Sequence, residues 1–277
     1  MIHKVITLKD HYPFLGENNR SANVTLYLPD PMHEMGRGDW KRPCLVICPG
    51  GGYGMCSDRE AEPVALHFLS QGYNVFVLRY SVAPHRFPSQ LHEVAAVMEL
   101  ICQNADVWHC DINRVAILGF SAGGHLAAHY STCFDIPEVR QLFPESKPVQ
   151  ASVLCYPVIS ADPCIAHLGS FQNLLGIEAL TDNQINEFSC DRRVTDHTPP
   201  AFMWHTAEDN LVPVANSLRY ATALTEHKIP VSIHVYPAGW HGLSTVDDQT
   251  NDPLPENICY AADWLDAAKK WLKITLG

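Results

Sequence analysis

The chain has 277 residues, of which 47% are hydrophobic and 18% charged, with a formal net charge of −11. A chain of this composition is far from the polar, highly charged profile of disorder, and at this length it buries enough surface to fold without a disulfide or metal staple. The acid excess and the lack of any basic run argue against nucleic acid or an anionic membrane surface as partner. No apolar run reaches the roughly 18 residues of a membrane span. The N-terminal stretch MIHKVITLKD carries no apolar leader pattern, so the expectation is a cytoplasmic protein. Ten cysteines include no C-x-x-C pair. Cys44, Cys48 and Cys155 sit inside apolar runs, which points to reduced thiols acting as small hydrophobes.

The chain then alternates strand-like and helix-like segments. Residues 3–8 and 22–28 alternate apolar and polar types, as half-buried antiparallel strands do, and a short loop is expected between them. Residues 43–49 (PCLVICP) form a continuous apolar run, the mark of a strand covered on both faces. A loop with three glycines and a helix over 59–70 follow. Strands are predicted at 73–80, 114–120, 150–157, 201–206 and 231–237, and helices at 88–105, 122–133, 213–228 and 255–273. The helix at 88–105 places Leu91, Val94, Ala95, Met98 and Ile101 at helical spacing. Eight strands alternating with helices predict an α/β fold, a mostly parallel sheet with helices on both faces and an antiparallel edge. Segment 158–199 is too long for a plain connection. It carries short helical pieces at 171–175 and 182–188 and reads as a small cap insertion over the sheet's C-terminal edge. The whole of 1–277 is expected to be one domain.

The central motif is Gly119-Phe120-Ser121-Ala122-Gly123, a G-x-S-x-G between a predicted strand and a predicted helix. A serine on such a sharp turn exposes its hydroxyl at the strand's C-terminal edge, and small neighbours are needed because the turn crowds the backbone. A serine hydroxyl needs a base, and the base needs an orienting carboxylate. In this kind of fold they follow in the order Ser, acid, His. Asp209 lies just beyond the strand AFMWHT, and His241 lies beyond the strand VSIHVYP between Gly239 and Gly242. Glu208 competes with Asp209. Asp209 is favoured because only Asn210 and Leu211 separate it from Val212-Pro213, where the next helix begins. Backbone N–H donors for an oxyanion are expected from Ala122 and from the loop Pro49-Gly50-Gly51-Gly52-Tyr53. That loop lacks the Lys-Ser/Thr pair of a phosphate loop. His125 and His129 stand four apart on a helix without the glutamate of a zinc motif, so neither a metal nor a cofactor is expected. Tyr53, Trp240, Phe171 and Phe188 are candidates to wall an acyl or sugar pocket, or else ordinary core aromatics.

With these motifs the chain resembles the α/β-hydrolase superfamily, within it the bacterial esterase/lipase group related to hormone-sensitive lipase, and most closely acetylxylan esterase-like and feruloyl esterase-like enzymes. The resemblance is carried by PGGGY at 49–53, YSVAPHRFP at 80–88, GFSAGGHLA at 119–127, HTAEDNLVP at 205–213 and GWHG at 239–242. It implies Ser121 as nucleophile, His241 as general base and Asp209 as its partner, with Gly51, Gly52 and Ala122 donating to the oxyanion. Pro49 stands where the lipase pattern has a histidine, which points toward the sugar-esterase-like subgroup. The implied activity is a serine carboxylesterase that removes short acyl groups, acetyl above all, from xylan-type oligosaccharides. A feruloyl-type or general small-ester esterase is the alternative, and a serine peptidase a more distant one. The expected partner is a small ester, and self-association into a homo-oligomer stays open.

Overall fold

The computed structural model describes residues 1–19 and 22–277. Eight strands, β1 (Ile2–Thr7), β2 (Asn23–Leu28), β3 (Arg42–Cys48), β4 (Asn74–Arg79), β5 (Cys110–Phe120), β6 (Ala151–Cys155), β7 (Ala201–Thr206) and β8 (Val231–Tyr236), form one sheet in the order β1-β2-β4-β3-β5-β6-β7-β8. β2 runs antiparallel to β1 and β4, and the pairings from β4 through β8 are parallel. The eight predicted strands are all present. The link between β1 and β2 is longer than expected: Leu8 opens a helical turn, Leu8–His11, and a 3-10 stretch follows at Pro13–Asn19.

Side chains alternate across each strand, so a strand covered on both faces feeds two cores. In β3, Cys44, Val46 and Cys48 enter one core, and Leu45 and Ile47 enter the other. The first core packs under the helices Ser89–Gln103, Ser121–Cys133 and Ala215–Glu226, through residues such as Val94, Leu126 and Leu224. The second packs under Glu62–Leu69 and Asp263–Leu276, where Trp204 of β7 stacks on Trp264 with ring centroids 5.2 Å apart. The continuous apolar runs follow from this sandwiching, since neither face of β6, of β3 from Cys44 onward or of β5 from Val115 onward reaches water. Cys44, Cys48 and Cys155 fill core positions as free thiols.

The parallel strands all deliver their C-terminal ends to one edge of the sheet. The connections after β3, β5, β7 and β8 meet there, and the helices Leu168–Leu175 and Asp182–Phe188 of segment 158–199 lie between β6 and β7 in the chain. No helix among the described residues is long and apolar enough to cross a membrane.

Candidate active site

β5 ends at Phe120, and the next residue starts the helix Ser121–Cys133. To turn that sharply, Ser121 adopts φ +52°, a left-handed conformation that is costly for a side-chain-bearing residue. The turn presses the helix start onto β3. A Cβ on Gly123 would fall 2.1 Å from the Cys48 carbonyl oxygen and 2.3 Å from that of Pro49, so only glycine fits. The small residues of the motif are thus demanded by packing, and they leave the Ser121 hydroxyl as the group projecting from the elbow.

Three strand ends converge on that hydroxyl. Ser121 Oγ lies 2.7 Å from His241 Nε2, and His241 Nδ1 lies 2.6 Å from Asp209 Oδ2. A carboxylate only accepts, so Nδ1 carries the proton and Nε2 is free to accept from the serine. The other oxygen of Asp209, Oδ1, accepts the N–H groups of Leu211 at 3.0 Å and Val212 at 2.9 Å. Burial opposes ionisation of Asp209. Hydrogen bonds from His205 and His241, the charge of His241 and the Val212 N–H outweigh it and hold the carboxyl well below the usual carboxylate range.

His205, at the end of β7, has no exposed surface and was not singled out in the sequence as a site residue. Its Nε2 lies 2.8 Å from the Val212 carbonyl and 3.3 Å from Asp209 Oδ2, and its Nδ1 lies 2.8 Å from Ser217 Oγ. The carbonyl can only accept, which puts the proton on Nε2 and lets Ser217 donate to Nδ1. His205 therefore braces the acid-bearing loop from below. Glu208, the competing acid, turns the other way and accepts the Gly239 N–H at 3.3 Å.

The glycine loop after β3 is held from beneath by a second buried acid. Glu60 accepts the Gly50 N–H at 2.8 Å and the Tyr156 hydroxyl at 2.7 Å. Tyr156 in turn accepts the Ser244 N–H at 2.9 Å, and its ring meets the His241 ring edge-on at 5.0 Å. Burial raises the Glu60 carboxyl above its ordinary value against the opposing pull of those two donors and of His241. Gly51 sits at φ +128°, and a Cβ there would lie 2.2 Å from the Met55 carbonyl oxygen. The Gly52 carbonyl accepts from Asn173 Nδ2 at 2.9 Å, a tie from the cap segment. Gly51, Gly52, Ser121 and His241 line a cleft of about 320 Å³, with Met55 and Leu211 as its apolar side chains and His167, Ser57, Arg59 and Glu60 as polar ones. Ala122 is fully buried beside Ser121.

Two predicted pocket residues differ in their placement. Tyr53 is a correction: at φ +57° its side chain turns inward, and its hydroxyl lies 2.8 Å from His125 Nδ1. It is 1% exposed and packs beneath the loop instead of walling the cleft. Trp240 is 42% exposed, next to His241 in sequence but outside the residues lining the cleft. Phe171 and Phe188 are core aromatics, the first packed edge-on against His125 at 5.2 Å. His125 also reaches the Phe188 carbonyl through Nε2 at 2.9 Å, so both its nitrogens are occupied. Burial lowers its pKa to about 4 and holds that of the adjacent His129 well below the ordinary value. No group of three potential metal-binding side chains occurs among the described residues.

An eight-stranded, mostly parallel sheet with a serine on a strand-to-helix elbow and a histidine and an acid on later strand-end loops is the α/β-hydrolase arrangement. The BD-FAE family model matches residues 31–224, and the chain belongs to that family. It is 37% identical over 233 residues to endo-1,4-beta-xylanase B of Butyrivibrio fibrisolvens, a match covering 80% of this chain and 36% of that protein. It is 36% identical over 226 residues to an acetylxylan esterase of Xylanibacter ruminicola, covering 80% and 44%. The chain thus spans less than half the length of these two relatives. Among solved structures, the acetyl ester-xyloside bifunctional hydrolase of Caldicellulosiruptor lactoaceticus superposes with a TM-score of 0.84 at 32% identity, covering 99% of this chain and 97% of that one.

Proposed function

We propose that the protein is a serine carboxylesterase that removes acetyl groups from xylan-type oligosaccharides. The observation that carries the chemistry is the unbroken line of Ser121 Oγ, His241 and Asp209, with contacts of 2.7 and 2.6 Å. Ser121 attacks the ester carbonyl and passes its proton to His241 Nε2. Asp209 holds the other ring proton and stabilises the imidazolium that forms. The N–H groups of Gly51, Gly52 and Ala122 receive the oxyanion, each such donor contributing about 3 kcal/mol to the transition state. His241 then protonates the departing alcohol, and a water activated by the same histidine releases the acid from Ser121.

The cleft supports a short acyl group. At about 320 Å³, with Met55 and Leu211 as its apolar side chains, it is small for a long acyl chain. Kinship with an acetylxylan esterase and an acetyl ester-xyloside hydrolase supports a carbohydrate on the alcohol side. Trp240, exposed beside His241, offers a face for a sugar ring.

Acetate release from acetylated xylo-oligosaccharides, measured beside 4-nitrophenyl acetate, butyrate and octanoate and methyl ferulate, tests the assignment. The expected result is fast release from the sugars and a steep fall beyond butyrate. Hydrolysis of the nitrophenyl esters alone keeps the esterase and removes the sugar. A preference for methyl ferulate moves the activity to aromatic acyl groups. Full ester hydrolysis by Ser121→Ala overturns the site.

A further inference from the structure

One polar wall of the cleft comes from outside the strand ends. His167 precedes the helix Leu168–Leu175 and lines the cleft together with Ser121 and His241. Its Nδ1 lies 2.8 Å from Ser170 Oγ, a bond that fixes the plane of the ring. Its Cε1 lies 3.9 Å from where a Cβ on Gly52 would sit, so the ring stands against the glycine loop. Its Nε2 has no hydrogen-bond partner among the described residues and is open to solvent.

Burial, and then the neighbouring His241, lowers the pKa of this ring, which keeps it neutral at pH 7. A neutral imidazole donates from one nitrogen and accepts at the other. With the Ser170 hydroxyl on Nδ1, either tautomer leaves one hydrogen bond at Nε2, given in one case and taken in the other. A hydroxyl is the ligand group that matches both. An acetyl group carries no polar atom besides its carbonyl oxygen, and that oxygen belongs to the backbone donors. A polar ring here is therefore matched from the alcohol side of the ester. On a sugar, the carbon beside the esterified one bears a hydroxyl.

We propose that His167 selects the alcohol: its imidazole hydrogen-bonds a hydroxyl vicinal to the ester oxygen, so that the site prefers monoacyl esters of vicinal diols over esters of simple alcohols. This selection rests on the esterase chemistry proposed above, but a sugar is not needed to reveal it.

The test compares kcat/KM for trans-2-hydroxycyclohexyl acetate and cyclohexyl acetate, two esters with one acyl group that differ by a single hydroxyl. The wild-type enzyme is expected to favour the diol ester by about fivefold to tenfold, the range of one well-placed hydrogen bond. His167→Phe brings the ratio to about one, chiefly through KM. His167→Gln, which keeps a hydrogen-bonding end, restores part of it, and Ser170→Ala lowers it by freeing the ring. Because the readout is a ratio within each variant, a general loss of activity does not disturb it. A wild-type ratio of one overturns the proposal, as does a preference that survives in His167→Phe, which would move recognition to Arg59 or Ser57. Hydrolysis of neither ester, nor of 4-nitrophenyl acetate, overturns the esterase reading and this one together. If acetylated xylo-oligosaccharides alone resist, the sugar assignment falls and the diol ratio still decides the role of His167.

Discussion

Two walls meet at Ser121, and they are built differently. The first consists of the ends of β3, β5, β7 and β8. There each of the wall's groups sits a few residues at most beyond the end of a sheet strand, and backbone contacts hold the elbow against Cys48 and Pro49 and Asp209 on the N–H groups of Leu211 and Val212. The second wall is segment 158–199. Its first residue lays the Val158 N–H on the Ser121 carbonyl at 3.0 Å, and beyond that contact side chains bind it to the first wall. Asn173 holds the Gly52 carbonyl, and His125 joins Tyr53 of the glycine loop to the Phe188 carbonyl. In the proposed chemistry, the wall fixed mainly by backbone holds the groups that make and break bonds, and the wall fixed mainly by side chains faces the alcohol.

If that division is right, damage to the two walls differs in size and kind. Ser121→Ala should cost at least about 10⁴-fold in kcat on 4-nitrophenyl acetate with no loss of thermal stability. Asp209→Asn should cost about 10³- to 10⁴-fold, since the amide no longer holds the required histidine tautomer, and steady-state kinetics on the same ester measures it. Gly123→Ala attacks the first wall through its backbone. A methyl placed 2.1 Å from the Cys48 oxygen forces β3 and the nucleophile helix apart, with an expected loss of about 3 kcal/mol or more in urea unfolding. Asn173→Ala loosens the second wall only. The expected result is a fall in kcat of up to about tenfold, read in steady-state kinetics, as the Gly52 peptide loses its anchor. A loss as large as that of Ser121→Ala would erase the distinction between the walls.

Acid should separate the walls as well. The folded-state pKa of His125, about 4, lies below the ordinary histidine value, and that of His129 is lowered too. Between about pH 6.5 and 4 the unfolded chain therefore binds more protons than the folded one, and stability falls as pH falls, by up to about 1.4 kcal/mol per pH unit for each group. Protonating His125 at Nδ1 also removes the acceptor for Tyr53. Asp209, held well below the usual carboxylate range, stays ionised over the same interval. Urea midpoints measured from pH 7 to pH 5 should show the slope. His129→Phe, which keeps an aromatic ring against Phe87, should flatten it.

The same division explains what could be read from the amino-acid string. The eight strands and the positions of Ser121, Asp209 and His241 were legible because strand burial and strand-end chemistry are local patterns. His205 was hidden in its own strand, since a histidine inside AFMWHT shows no sign of the acid it braces. Asn173 and Glu60 reach Gly52 and Tyr156 from far away in the chain, and His167 meets Ser121 and His241 only in the folded cleft, so no spacing rule reaches them. Tyr53 read equally as pocket wall or as core aromatic. Its positive φ reverses the side chain, and that reversal depends on finding His125 on another element.

The tie between Asn173 and the Gly52 carbonyl also bears on how such a molecule can diversify. The loop contributes a main-chain oxygen, a group that every residue carries, and His125 likewise grips the main-chain oxygen of Phe188. The sockets on both sides are thus largely indifferent to side-chain identity. Among its ties, a different covering segment on the same sheet needs one donor for the loop and one carbonyl for the helix. New alcohols can then be accommodated by exchanging one stretch of chain while the bond-breaking apparatus stays untouched.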